Sequence, residues 1–277
     1  MDDLVSTQWL ADNLGQPGLV AVDSSVFMPS SGRDGRAEYL AAHIPGARFL
    51  DVEALSDQAN PAPHMLPSAW DFSAAMEALG VGRDDRIVVY DNSPLRTAAR
   101  GWFMLRHFGA RQVAILDGGF QKWSAEGRPV ESGEPLPRPA RFEAATRPAE
   151  VVSQSDISAG LGTALIDARG KARFEGTEPD PRPGVAAGHI PGARNLPFAS
   201  LYKDDGTFRS RDEIAQTFAV AGADVHAPFV ASCGSGVTAN SLIFAAHLLG
   251  NRATRLYDGS WSEWGADPST PKEKGPC

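Results

Sequence analysis

The chain repeats itself, and that repetition narrows the available folds more than any other feature of the sequence. His43-Ile44-Pro45-Gly46-Ala47-Arg48 returns as His189-Ile190-Pro191-Gly192-Ala193-Arg194. A strand-like run ending in an acid precedes each copy, closing on Asp23 in the first and on Asp167 in the second. Downstream, residues 86–91 are answered by 228–233, and Asp117-Gly118-Gly119-Phe120-Gln121-Lys122-Trp123 by Asp258-Gly259-Ser260-Trp261-Ser262-Glu263-Trp264. Four matched landmarks in one order define a duplicated domain. The expected division of the 277 residues is an N-terminal domain over 1–126, a proline-rich linker over 127–150 and a C-terminal domain over 151–277. Within the linker, Pro129, Pro135, Pro137, Pro139 and Pro148 deny the backbone both helix and ladder hydrogen bonds, so an extended segment is expected there.

In each half, short β-branched runs alternate with helical patterns, expected over 70–79, 97–108, 211–221 and 238–249. Leu242, Ala245, Ala246 and Leu249 in the last of these have the spacing of one buried helix face. The fold class is therefore α/β: tandem domains, each a mostly parallel sheet with helices on both faces. Ligands in such sheets gather at the carboxyl ends of strands. The formal net charge of −8 excludes a sequence-wide basic field for nucleic acid. No apolar run has the length of a membrane span; the best, 242–249, is broken by His247. An acidic N-terminal stretch stands where a secretory signal would be basic, which points to a cytoplasmic enzyme.

Two cysteines, Cys233 and Cys277, form neither a disulfide scaffold nor a thiolate zinc site. A single reactive thiol is the remaining role, and no metal or organic cofactor is expected. Cys277 lies in the tail 271–277, expected to be mobile, where a terminal thiol could link two chains but reads as incidental. Cys233 is different, because it opens Cys233-Gly234-Ser235-Gly236-Val237-Thr238-Ala239 between a strand and an amphipathic helix. The glycines allow a tight turn whose N–H groups converge, and the helix adds its positive end. A thiolate would be favoured in that field, and so would an anionic terminal sulfur carried on it. Three other readings compete. A core thiol would not need a glycine-rich turn beside it. A dinucleotide-binding turn fits Gly234-Ser235-Gly236-Val237-Thr238-Ala239 formally, with Asp258 available for a ribose, but it falls late in its domain and the first half has no comparable glycines. A phosphatase of the C-x-x-x-x-x-R type would need arginine where Ala239 stands.

The loop Cys233–Ala239, the H-I-P-G-A repeats and the D-G-G/S-x-x-x-W elements resemble the mercaptopyruvate sulfurtransferases, the two-domain branch of the rhodanese family, over essentially the whole chain. The resemblance implies tandem rhodanese domains with the active site at the domain interface, and a persulfide carried on Cys233. In the first half the matching position falls at Asp91 or Asn92, in a loop one residue longer, so that copy is expected to be catalytically silent. Neutral Gly234 and Ser235 after the cysteine agree with 3-mercaptopyruvate as donor, whereas thiosulfate-preferring members carry basic residues there; a thiosulfate:cyanide sulfurtransferase with the same mechanism is the alternative, and a non-catalytic binding module a more distant one. Arg173 and Arg182 match the branch's substrate-binding arginines, with Gly234, Gly236, Val237 and Thr238 completing the binding loop. Read from the residues alone, each arginine would simply pair with Glu175, Glu178 or Asp180 on a solvated loop. The likeness further implies a polar relay of Ser235, His64 and an acid, here Glu53 where the family more often has aspartate. Expected partners are a small-molecule sulfur donor and a small thiol, thioredoxin or cyanide as acceptor, with no nucleic acid and no membrane. His43 and His189 read as structural, fixing turns through side-chain-to-backbone bonds.

Overall fold

The computed structural model describes residues 1–160 and 162–276. Cys277 lies outside the described residues. The ten strands are β1 (Leu4–Val5), β2 (Leu19–Asp23), β3 (Arg48–Phe49), β4 (Arg86–Tyr90), β5 (Gln112–Leu116), β6 (Val151–Val152), β7 (Ala164–Asp167), β8 (Arg194–Asn195), β9 (Phe229–Ser232) and β10 (Thr254–Tyr257). They form two five-stranded sheets, ordered β1-β5-β4-β2-β3 and β6-β10-β9-β7-β8. The second order is the first with five added to each strand number, so the duplication read from short motifs extends to the topology. Every pairing within both sheets is parallel. That explains why the central runs Ile87–Tyr90 and Phe229–Ser232 are apolar or small without alternation: helices cover both faces and every position is buried.

The expected helices form as Ala69–Leu79, Ala98–His107, Arg211–Val220 and Ala239–Leu248. Ser68 caps the first, and Ser210 with Glu213 makes a capping box on the third. The helices that follow the central strands, Ala98–His107 and Ala239–Leu248, have no side-chain cap from their own N-cap threonines.

Two compact units account for the chain: Met1–Ser56, Leu66–Arg147 and Lys203–Phe208 in the first, Asp57–Met65, Pro148–Tyr202 and Arg209–Cys277 in the second. Residues 57–65 thus cluster with the second unit although they lie in the first half of the sequence. Segment 127–147 contains no helix or extended strand. It follows the first unit through a bridge between His43 and Glu131 and through Arg48, whose guanidinium donates to the carbonyls of Pro135 and Leu136.

The two repeated histidines are buried and act alike. His43 Nδ1 lies 2.8 Å from Tyr39 O, and His189 Nδ1 2.9 Å from Phe174 O. Each ring ties its turn to the end of the preceding helix and stacks on that same aromatic residue. The tail differs from expectation: Pro271 O accepts from Trp264 Nε1, Glu273 bridges to His189, and Gly275 N donates to Glu175 O. Three backbone attachments in five residues hold a segment whose Pro, Gly and Lys content reads as loose.

Candidate active site

Strand β9 is the middle strand of its sheet and delivers Cys233, 1% exposed, at the sheet's carboxyl end. The turn that follows is fixed from behind by residues 258–264. Cys233 O accepts from Trp261 N at 3.0 Å, and Gly234 O from Ser262 N at 2.8 Å. Ser260 Oγ accepts from the amides of Cys233 (3.0 Å) and Gly236 (3.1 Å), donates to Tyr257 O (2.8 Å) and lies 3.9 Å from Cys233 Sγ. Ser260 holds this position at φ +50°, a left-handed conformation that costs a side-chain-bearing residue about 1–2 kcal/mol. Gly236 is needed twice over: its φ is +72°, and a Cβ there would come 2.5 Å from Asp258 O.

Asn240 Nδ2 takes the carbonyls of Gly236 and Val237, at 2.7 and 3.0 Å. The amides are left otherwise. Those of Gly234, Ser235, Val237, Thr238 and Ala239 meet no protein acceptor among the described residues. Open amides at the uncapped start of a ten-residue helix can seat an anion at the turn that begins with Cys233.

Arg173 and Arg182 come to this loop. A Cβ built on Gly234 would stand 3.4 Å from Arg173 Nη2 and 3.4 Å from Arg182 Nη1. Both guanidiniums also share one carboxylate: Arg173 Nη2 donates to Asp180 Oδ2 at 2.6 Å, and Arg182 Nη1 to Asp180 Oδ1 at 3.2 Å, with the Arg182 amide adding a bond to Oδ1 at 3.0 Å. The Asp180 side chain is 1% exposed, against 22% and 25% for the arginines. Burial alone would raise its pKa, but the hydrogen bonds and charges of Arg173 and Arg182 bring the carboxyl below its ordinary value. Of the three acids available in the sequence, burial selects Asp180, and the ion pairs orient the arginines while leaving them at the loop.

His64 Nδ1 stands 2.8 Å from Ser235 Oγ, within the second unit. His64 has φ +63°, so this loop too holds a non-glycine residue in the left-handed region where its side chain meets the turn. Glu53 is exposed on the short helix Val52–Leu55 of the first unit, whose Val52 is buried. Cys233, Gly234, Ser235, Gly236, Val237, Thr238, Arg173, Arg182 and His64 thus belong to one unit. Two contributors escaped the sequence reading. Asp180 is one of three equivalent acids on paper, and Ser260 is one letter of a repeat; the one available signal is that Ser260 replaces the Gly119 of the first copy.

The corresponding loop of the first unit is chemically different. Asp91 O accepts from Phe120 N as Cys233 O does from Trp261 N, which makes Asp91 the counterpart of Cys233. Its own carboxylate takes the amides of Ser93 (2.8 Å) and Ala98 (2.7 Å). Ala98 begins its helix as Ala239 does, so the amide left open in the second unit is satisfied here by a tethered carboxylate.

The comparisons with known proteins agree with this architecture. The family model of the rhodanese-like domain matches twice, over residues 6–126 and 152–267. The chain belongs to the rhodanese-like family. It is 42% identical to the 3-mercaptopyruvate sulfurtransferase of Homo sapiens, covering 94% of this chain and 91% of the relative, and 39% identical to the thiosulfate sulfurtransferase of Bos taurus with the same coverage. The crystal structure of SseA from Escherichia coli, a 3-mercaptopyruvate sulfotransferase, matches at a TM-score of 0.86 and 39% identity, covering 95% of this chain and 100% of that one. Among the described residues, no helix is long and apolar enough to cross a membrane, and no cluster of His, Cys, Asp and Glu could hold a metal ion.

Proposed function

We propose that this protein is a sulfurtransferase that takes sulfur from 3-mercaptopyruvate onto Cys233 and passes it to a thiol or cyanide. The observation that carries this reading is the set of open amides around a buried cysteine at the uncapped start of a helix. An anionic outer sulfur on Cys233 would fill that seat, as the Asp91 carboxylate fills the equivalent one.

In the first half-reaction the Cys233 thiolate attacks the donor's sulfur. The sulfur–carbon bond breaks and its electron pair leaves on pyruvate as the enolate. The donor's sulfhydryl proton ends on the enolate carbon, so Cys233 persulfide anion and pyruvate remain. Arg173 and Arg182 hold the donor carboxylate, a task suited to their planar donor forks. The Ser235–His64 pair moves the proton at Ser235 Oγ. In the second half-reaction an acceptor thiolate or cyanide attacks the outer sulfur, and the Cys233 thiolate leaves. Two half-reactions through a covalent intermediate require ping-pong kinetics, with parallel double-reciprocal lines. The single buried thiol suits a reducing compartment such as the cytoplasm, and thioredoxin is a fitting protein acceptor. Replacing Glu53 by Gln tests its place as the relay's acid: a drop in turnover with unchanged donor KM supports it.

Intact mass after brief exposure to 3-mercaptopyruvate tests the whole reading. The expected result is a gain of one sulfur atom, removed by cyanide and absent in Cys233→Ser. Loading by thiosulfate alone would transfer the function to the other donor. A reduced protein that gains sulfur from neither would be a binding module.

A further inference from the structure

Asp180 is more than a brace for two arginines. We infer that Asp180 is a positioning residue that sets the charge of donor the site accepts, holding the arginine pair at one net positive charge so that a monocarboxylate is favoured over a doubly charged sulfur oxyanion. This rests on the donor reading above.

The geometry is asymmetric in a telling way. Each oxygen of Asp180 is committed to a different arginine, and Oδ1 also takes the Arg182 amide. The carboxylate is shut away from solvent while the guanidiniums remain partly open beside Gly234. Water therefore screens the carboxylate poorly, and its charge is felt at the loop nearly as strongly as the arginines' own. Two guanidiniums and one carboxylate sum to +1. Arg173 Nε is buried with no partner among the described residues, so this guanidinium keeps an unused donor direction after serving Asp180. The other acids of the segment lie elsewhere: Glu175 is 3.6 Å from Lys171 Nζ, and Glu178 is exposed. A donor with one carboxylate neutralises the clamp. Thiosulfate, with two charges, would leave a net negative charge at the clamp. The neutral residues Gly234 and Ser235 supply no cation to offset it.

The test is the ratio of kcat/KM for thiosulfate to that for 3-mercaptopyruvate. In Asp180→Asn, which keeps the shape and one acceptor oxygen, the dianion gains twice as much as the monoanion from the lost negative charge. The ratio is expected to rise about tenfold or more. Asp180→Glu restores the charge and brings the ratio back to the wild-type value. A ratio that stays fixed in Asp180→Asn while both donors weaken equally overturns the inference and leaves Asp180 a structural brace. A fall in the ratio overturns it as well. Wild-type protein supplies a second measurement independent of folding of the variants: competition by methanesulfonate and sulfate, similar in shape and different in charge. Sulfate is expected to bind no more tightly than methanesulfonate, and a preference of about tenfold for sulfate overturns the inference. If wild-type protein loads sulfur from neither donor, the donor reading itself fails, a result distinct from an unmoved ratio.

Discussion

The loops 91–98 and 233–239 occupy the same place in two copies of one fold, and they solve the same electrostatic problem in opposite ways. Both end a central strand and begin a helix whose N-cap threonine makes no capping bond. In the first unit the Asp91 carboxylate caps the helix from within, through Ala98 N and Ser93 N. In the second, a cysteine with no charge of its own unless deprotonated stands at that point, and the amides around it stay open. The scaffold behind the loops differs to match. Gly119 (φ +59°) lies behind Asp91 without strain, whereas Ser260 (φ +50°) accepts strain in return for an Oγ that gathers the Cys233 and Gly236 amides. A second contrast lies one strand over. Asp167 is locked to Arg169, Nη2 to Oδ2 at 2.7 Å, whereas the first copy has Ser25 in place of that arginine. Burial without a cation, aided by the nearby charge of Asp91, pushes Asp23 up to about 7.

The most severe way to break this comparison is to give the second loop the first loop's acid. Cys233→Asp is expected to fold, to place its carboxylate on the Ala239 amide as Asp91 does on Ala98, and to lose turnover by at least about 10³-fold. Slowed hydrogen exchange at Ala239 N, read together with activity, checks both halves of that expectation.

Next in size is the missing cation. Because the folded-state pKa of Asp23 exceeds its unfolded value, the native state binds the proton more tightly between about pH 4 and 7. Wild-type stability should therefore fall as pH rises through that window, by up to about 4 kcal/mol. Asp23→Asn removes the slope, so its urea midpoint should exceed that of wild type at pH 8 and approach it near pH 4. Parallel pH profiles for the two proteins would show that Asp23 is not the source.

A smaller effect is expected from giving the second copy the first copy's glycine. Ser260→Gly relieves about 1 kcal/mol of backbone strain but releases two loop amides, and turnover should drop about 10–100-fold with little change in melting temperature. Unchanged turnover would mean that the amides keep their places without Oγ. Smallest is His64→Asn, which tolerates the left-handed backbone at φ +63°. It should slow pyruvate release about tenfold or less while sulfur loading still reaches one atom per chain.

Much of this was legible in the sequence because it rests on local chemistry. The duplication shows in six-residue motifs, the strands show as apolar runs, and the glycines around Ser235 announce a turn that begins at Cys233. What could not be read depends on which of several equivalent groups is buried. Glu175, Glu178 and Asp180 are interchangeable acids on paper; only packing puts Asp180 beneath both arginines. Asp91 and Asn92 could each have matched Cys233 until the Phe120 amide settled on Asp91 O. Ser260 gives no hint of a left-handed backbone, since nothing in a serine codes for it. The tail reads as loose because prolines and lysines are surface residues, yet backbone bonds to His189 and Glu175 hold it.

The His64–Ser235 bond joins residues 171 positions apart, and that separation sets a timetable. A ribosome adding about 5–20 residues per second needs roughly 10–30 s to pass from one to the other. Between the two positions no cysteine occurs until Cys233, two residues before Ser235. Cys233 and the hydroxyl that meets His64 therefore leave the ribosome together. An interrupted chain that stops short of them carries His64 without the Ser235 hydroxyl it meets in the folded protein.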